Sequence, residues 1–291
     1  MKACVNGRMV GEKAPAISVL DYGILYGYGL FESMLAINGT IFRPDKHLLR
    51  LRKAGGVIRL PIPWADNELK QMLQKTLNVN KLKDAYIRLT ITKGPGEPRL
   101  DSTIKNPTLV IIARNLPKGI VEKKSKGVKL AISNLYRINS KDIRSRVKTT
   151  NYLLNALAKA EADALGANDV ILLNEKGMIA ECSTANIFTV SRGMLITPSV
   201  ESGILPGVTR DAVIEIASKI GIKTIEKNLA ASELTSAQEA FKTSSITGIT
   251  PITQIDGKKI GNAKPGGITR KLQKEYDRLI KKECGMQHEL T

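Results

Sequence analysis

The chain has 291 residues, enough for two modest domains or one large one, and its 42% hydrophobic and 25% charged content is that of a soluble globular protein. Two histidines, His47 and His288, leave little for a histidine-rich metal site or a Ser-His-Asp triad, and three scattered cysteines, Cys4, Cys182 and Cys284, form neither a disulfide framework nor a C-x-x-C metal pair. The net charge of +18 concentrates between Lys118 and Lys148 and in TRKLQKEYDRLIKK; with a single tyrosine in each and no recognised nucleic-acid motif it reads as a lysine-rich solvated surface, and no nucleic-acid partner is expected.

The opening MKACVNGRMVGEK lacks the apolar run of a signal peptide, and no stretch approaches the ~20 apolar residues of a membrane span, so a cytoplasmic location is expected. CVNGRMV predicts a hairpin turning at Asn6-Gly7, and FESMLAINGTIF a second turning at Asn38-Gly39. A helix follows from Pro44, with Leu48, Leu49 and Leu51 as its apolar positions, and another from about Ala65 to Leu77. His47 in the first of these helices reads as a packing or surface residue. DAYIRLTIT and TLVIIA alternate as strands.

NLPKGIVEKKSKG, residues 115–127, is polar and aperiodic and predicts a linker between an N-terminal domain, 1–114, and a larger C-terminal domain, 128–291. GVKLAIS then predicts a strand and NYLLNALAKAEADALG a helix closed by Gly166, with Thr149, Thr150 and Asn151 as N-cap types. NDVILLNEKGMIAE predicts a hairpin about Glu175-Lys176-Gly177, ANIFTV and GMLITP further strands, and VTRDAVIEIASKIG a helix ended by Gly221. Strands and helices mixed without regular alternation predict an α+β fold.

There is no G-x-S-x-G, no Walker A loop, and no G-x-G-x-x-G after a strand; Gly27-Tyr28-Gly29 alone reads as a tight turn. A lysine remains as the plausible catalyst. Spacing and composition do not single one out, and any given lysine reads as a surface group.

Five separated segments, in order, resemble the class IV (fold-type-IV) aminotransferase family: LDYGILYGYGLFES, KHLLRLRKAG, KTTNYLLNALAKAEA, LLNEKGMIAECSTANIF and GILPGVTRDAV. That family includes branched-chain aminotransferases, D-amino-acid aminotransferases and aminodeoxychorismate lyases. The resemblance implies pyridoxal 5'-phosphate as cofactor, a two-domain α+β fold with the cofactor at the domain interface, a homodimer, and no metal. It implies that Lys148 forms the Schiff base and carries protons, and that Glu181 faces the pyridine nitrogen. It assigns Arg50, Gly207, Val208, Thr209 and Ser245 to the phosphate and Tyr152 to the phenolic oxygen. Tyr26, Phe31, Tyr86, Arg88 and Ile246 match positions around the substrate, and Arg99, a loop arginine, reads equally as a bidentate contact to a substrate carboxylate or as a solvated side chain.

The element Tyr86-Ile87-Arg88 resembles the branched-chain enzymes, which implies transamination between a branched-chain amino acid and a 2-oxo acid such as 2-oxoglutarate. Other features point elsewhere. Leu35 stands where many branched-chain enzymes carry an arginine, and the K-T-T-N spacing is closer to the D-amino-acid enzymes and the lyases. The Arg-x-His pair of the D-specific enzymes is replaced by Arg99-Leu100-Asp101. The lyase reaction, releasing pyruvate and 4-aminobenzoate, and D-amino-acid transamination remain alternatives.

Overall fold

A computed structural model describes residues 1–11, 13, 16–100 and 106–285; Asp101 and His288 lie outside them. Two compact units emerge: Met1–Leu116 with Val147–Asn151 and the chain end from Ile280, and Pro117–Arg146 with Tyr152–Leu279.

The first unit contains β1 (Lys2–Val5), β2 (Arg8–Gly11), α1 (Tyr22–Leu25), β3 (Gly29–Ile37), β4 (Thr40–Ile41), α2 (Pro44–Val57), α3 (Asp66–Val79), β5 (Ala85–Thr92) and β6 (Thr108–Asn115). Its sheet is antiparallel, in the order β2-β1-β6-β5-β3-β4. Both expected hairpins form: Asn6 and Gly7 have φ of 48° and 81°, Asn38 and Gly39 have 52° and 76°, as a type I′ turn requires. The two-residue period of β3 sends Leu30, Met34 and Ala36 to one face, where they join Ile87, Leu89 and Ile91 of β5 in a core with Leu48, Leu51, Leu69, Leu73 and Leu77 of the two helices. Each of the fully buried Leu, Ile and Met side chains contributes about 1.5–3 kcal/mol. Helix α2 starts with Pro44 in its first turn, where no backbone donor is lost, and buries His47, Leu48, Leu51, Ala54 and Gly55. Leu49, expected among its apolar positions, is 51% exposed, because it falls off that stripe.

The second unit contains α4 (Ile120–Lys126), β7 (Val128–Ile138), α5 (Leu153–Ala164), β8 (Asp169–Asn174), β9 (Ile179–Cys182), β10 (Asn186–Ser191), β11 (Met194–Pro198), α6 (Val208–Lys219), β12 (Thr224–Lys227), α7 (Ala231–Thr235), β13 (Glu239–Ser244), β14 (Gly248–Ile255), β15 (Lys258–Lys259) and most of α8 (Gly267–Glu283). Its mixed sheet runs β12-β11-β10-β13-β14-β7-β8-β9, with β15 on β14 and parallel pairs at β11/β12, β14/β7 and β7/β8. Helix α5 buries Ala158 and Ala162 against Val170 and Leu172, whose run of consecutive apolar residues suits a strand covered on both faces. The fold is α+β.

The stretch expected as a linker holds α4, begun at Gly119 and stopped at Gly127, with φ of 78° and 82°. None of its residues is buried; Lys123, Lys124 and Lys126 lie in its last turn, where cations favour the helix dipole. Lys124 also donates to Asp277 of α8 at 3.0 Å, and its carbonyl accepts from Gln273 Nε2 of the same helix at 3.0 Å, so α4 is held by a neighbouring helix and not by an apolar stripe of its own.

Val147–Asn151, expected in the C-terminal domain, clusters with the first unit. The amide of Phe31 donates to the Lys148 carbonyl, Thr150 N donates to Gly29 O, both at 2.9 Å, and Leu30 bridges Thr149. The segment thus pairs with the start of β3 beside the short strand β4, which covers only Ala36 and Ile37. Thr149, Thr150 and Asn151 do not cap α5, whose N-cap is Tyr152 with no side-chain cap bond. Thr150 Oγ1 and Asn151 Nδ2 donate instead to Gly27 O, at 2.5 and 3.0 Å.

Candidate active site

In the first unit, the Lys148 segment leans on the turn at Gly27-Tyr28-Gly29. Gly27 has φ of 62°, and a Cβ there would meet Asn151 Oδ1 at 2.4 Å; a Cβ on Gly29 would meet Ile91 O at 2.9 Å. The turn therefore forms the surface on which the lysine segment lies. Val147 is buried in the core of this unit, and Lys148 itself is half-buried.

The β3/β5 register puts Phe31, Ser33 and Leu35 opposite Thr90, Arg88 and Tyr86, all on the sheet face away from the helices. Lys148 Nζ sits 4.4 Å from the centroid of the Phe31 ring, and Arg88 Cζ lies 3.7 Å from the same centroid. Two cations thus share one aromatic ring, each an attractive contact worth about 0.5–2 kcal/mol. Arg88 Nε also donates to Thr90 Oγ1 at 3.3 Å, and the Tyr86 hydroxyl lies 3.5 Å from Ser33 Oγ. Tyr26 is half-buried after α1 and stacks edge-on against Tyr22 at 5.0 Å. Arg99 is exposed in the loop after β5, where its carbonyl accepts from the Tyr22 hydroxyl.

On the opposite face of β3, Glu32 is a carboxylate at 1% exposure among apolar neighbours. Arg50 grips it with two parallel bonds, Nε to Oε1 at 2.8 Å and Nη2 to Oε2 at 2.6 Å, and His47 Nδ1 lies 2.7 Å from Oε2. His47 and Arg50 are one turn apart on α2, so one helix face delivers both to the same strand position. Burial pushes the Glu32 pKa upward, but the Arg50 charge, followed by the bonds from His47 and Arg50, more than offsets this and holds it at about 2. For His47, burial is the largest effect and lowers its pKa; Glu32 opposes this, while Arg50 and Lys148 reinforce it. Sequence reasoning missed Glu32 and read His47 as packing or surface. The available signal was a carboxylate at a core-facing position of an alternating strand.

In the second unit, Glu181 is half-buried on β9, and its Oε2 accepts from Asn186 Nδ2 at 3.0 Å and from Leu205 N at 3.1 Å. Asn186 Nδ2 also donates to Leu205 O at 2.8 Å, which ties the carboxylate to the chain entering α6. Gly207 is the N-cap of that helix, without a side-chain cap bond, and Val208 and Thr209 form its buried first turn. A Cβ on Gly207 would meet Asn186 Oδ1 at 2.0 Å, so glycine is required for the close approach. Ser245 and Ile246 are half-buried in the turn between β13 and β14, where Ser244 Oγ and Thr247 Oγ1 lie 2.8 Å apart. Tyr152 is half-buried at the start of α5.

The model of the amino-transferase class IV family matches residues 29–255. The chain belongs to the class IV aminotransferases. Across 277 residues it is 38% identical to a Methanocaldococcus jannaschii protein provisionally named a branched-chain-amino-acid aminotransferase, with 95% of each chain covered. It is 29% identical to the D-alanine aminotransferase of Bacillus licheniformis, over 97% of this chain and 98% of that one. The crystal structure of a branched-chain aminotransferase from Thermoproteus uzoniensis matches with a TM-score of 0.90 at 35% identity, covering 97% of this chain and 95% of that one. This class IV aminotransferase is a pyridoxal-phosphate-dependent transaminase.

Proposed function

We propose that this class IV aminotransferase exchanges an amino group between a branched-chain L-amino acid and a 2-oxo acid such as 2-oxoglutarate. The observation that carries the reading is the 38% identity across nearly the whole chain to the provisionally named branched-chain enzyme. The Thermoproteus uzoniensis enzyme, whose structure contains norvaline, supports it.

The residues suit the cofactor. A phosphate calls for positive charge and unpaired backbone donors; Arg50 supplies the first, and the uncapped α6 terminus at Gly207, Val208 and Thr209 the second, with Ser245 adding a hydroxyl. Glu181, aimed by Asn186 and Leu205, provides a carboxylate for the pyridine nitrogen, and Tyr152 a hydroxyl for the phenolic oxygen. When bound, pyridoxal phosphate supplies an electron sink for the carbanion at the substrate Cα and accepts the amino group.

The rest of the reaction is proton handling and substrate orientation by the chain. Lys148 would hold the cofactor through its Nζ, and the same amine would take the proton from the substrate Cα. The Phe31 ring keeps that amine in place while it carries charge. Arg88, over the same ring and bonded to Thr90, orients a substrate carboxylate with Tyr86, and Arg99 provides a further cation. Tyr26, Phe31 and Ile246 supply apolar surface for an aliphatic side chain.

A homodimer in the cytoplasm completes the proposal. Leu153 and Leu157 of α5, 70% and 42% exposed, offer apolar surface for a second copy to cover, and all three cysteines are free. Among the described residues no helix is long and apolar enough to cross a membrane.

The test is the absorption spectrum of the purified holoenzyme during separate additions of L-leucine, L-glutamate and D-alanine. Conversion of the lysine-bound cofactor band to the amino form by L-leucine and L-glutamate is expected. Conversion by D-alanine alone would make this a D-amino-acid transaminase. A band unchanged by all three would overturn transamination of these substrates and leave the aminodeoxychorismate lyase reaction to be assayed by pyruvate release.

A further inference from the structure

Glu32 raises a physical question. An isolated carboxylate in an apolar core is costly, and replacing a buried ion pair with packed apolar residues is often neutral or stabilising. Strand β3 nonetheless places a carboxylate between Leu30 and Met34, in the core of the first unit. What the arrangement achieves is control of Arg50. Both guanidinium nitrogens on one edge, Nε and Nη2, are engaged by the two carboxylate oxygens, so the plane of the guanidinium is set, not only its distance. An arginine carries about 2 kcal/mol of rotamer entropy, and a side chain already held in one orientation loses less when it meets an anion. His47 fixes the carboxylate in turn, by a 2.7 Å bond from a ring that is itself 1% exposed.

We infer that Glu32 is a positioning residue for the phosphate of the cofactor: it presets Arg50, and His47 presets Glu32. This rests on the reading of Arg50 as a phosphate-binding residue. Two electrostatic effects compete, and they predict opposite signs. If orientation dominates, breaking the fork weakens phosphate binding. If Glu32 merely neutralises Arg50, its removal frees a positive charge and phosphate binding tightens. The bidentate geometry favours orientation, because a glutamine at this position has one acceptor oxygen to meet two arginine donors, and its amide NH2 opposes the second.

The experiment compares two probes on apoenzyme freed of cofactor: pyridoxal phosphate and pyridoxal, which lacks the phosphate. Dissociation constants are read from the visible band of the lysine-bound form in wild type, Glu32→Gln, Arg50→Gln, His47→Leu and His47→Asn. Glu32→Gln is expected to weaken pyridoxal phosphate by roughly tenfold or more, the scale of one charge-assisted hydrogen bond, and pyridoxal by less than about twofold. His47→Leu is expected to act in the same direction with a smaller effect, and His47→Asn, which restores a donor, to recover most of it. Unchanged or tighter pyridoxal phosphate binding in Glu32→Gln overturns the inference, as does an equal loss for both probes, which is the signature of a purely structural role. If Arg50→Gln separates the two probes and Glu32→Gln does not, the positioning role alone fails. If Arg50→Gln does not separate them, Arg50 is not a phosphate ligand, and both readings fall. Should Glu32→Gln lack native circular dichroism, the His47 pair decides: equal affinities in His47→Leu and His47→Asn overturn the relay.

Discussion

The amide of Phe31 donates to the carbonyl of Lys148 at 2.9 Å, and the ring of the same Phe31 lies 4.4 Å from the Lys148 amine. One residue of β3 therefore holds the lysine at both its backbone and its tip. The strand is in turn the second-to-last of an antiparallel sheet whose opposite face is the core of the unit. A lysine attached this way has its position set by a rigid element, which is what the proton transfer proposed for it requires.

Shrinking Phe31 tests this hold. Phe31→Leu keeps an apolar side chain but removes the ring that both Lys148 and Arg88 contact. Loss of two cation–ring contacts of about 0.5–2 kcal/mol each is expected to lower kcat and to raise KM for the 2-oxo acid by several-fold. Steady-state kinetics with separate variation of each substrate checks it; unchanged constants would mean the ring is only packing.

The turn beneath the lysine segment admits no side chain at Gly29, where a Cβ would sit 2.9 Å from the Ile91 carbonyl. Backbone cannot swing aside as a flexible side chain can. Gly29→Ala is therefore expected to cost about 1–3 kcal/mol in urea unfolding and, on the role proposed for Lys148, to slow cofactor capture, because Thr150 bonds to the same residue. A stable variant with normal reconstitution would show that the turn yields.

Acid should expose the Glu32 cluster. Its folded-state pKa of about 2 lies below the ordinary 4.5, so it contributes stability above pH 4.5 that is lost as pH falls toward 2. The shift corresponds to a contribution on the order of 3 kcal/mol. His47 is also lowered from 6.5, so its part is complete above pH 6.5 and is lost as pH falls through its folded value. Urea unfolding between pH 7 and pH 3 is expected to decline in wild type, with the component below pH 4.5 missing from Glu32→Gln and the one beginning near pH 6.5 missing from His47→Asn.

Glu181 is aimed by two donors from different parts of the second unit, Asn186 and Leu205 N. Glu181→Gln preserves its shape and removes its charge. On the proposed role kcat is expected to drop about a hundredfold or more, with cofactor still bound, since electrostatic stabilisers contribute on that scale. Asn186→Ala should give a smaller loss by leaving the carboxylate less well directed. Single-turnover rates followed through the cofactor spectrum separate these effects from product release.

The parts of this protein that local chemistry determines were legible in its sequence. Asn6-Gly7 and Asn38-Gly39 turn because two consecutive positive φ values suit those residues, and their hairpins needed no distant partner. The run of motifs from LDYGILYGYGLFES to GILPGVTRDAV was enough to place the chain in its family, because five separated segments in one order are far more specific than any one of them, and the family model spans residues 29–255. The tertiary structure decided the rest. Helix α4 sits in a segment with no apolar stripe to announce it, and Leu49 lies off the stripe that an apolar composition suggested. Lys148 is far from Phe31 along the chain, and only strand pairing brings them together. Glu32, His47 and Arg50 meet because a two-residue period in β3 and a 3.6-residue period in α2 point inward at the same level. Each period can be read from the sequence; the packing of one against the other is a long-range choice, set by which apolar faces bury together.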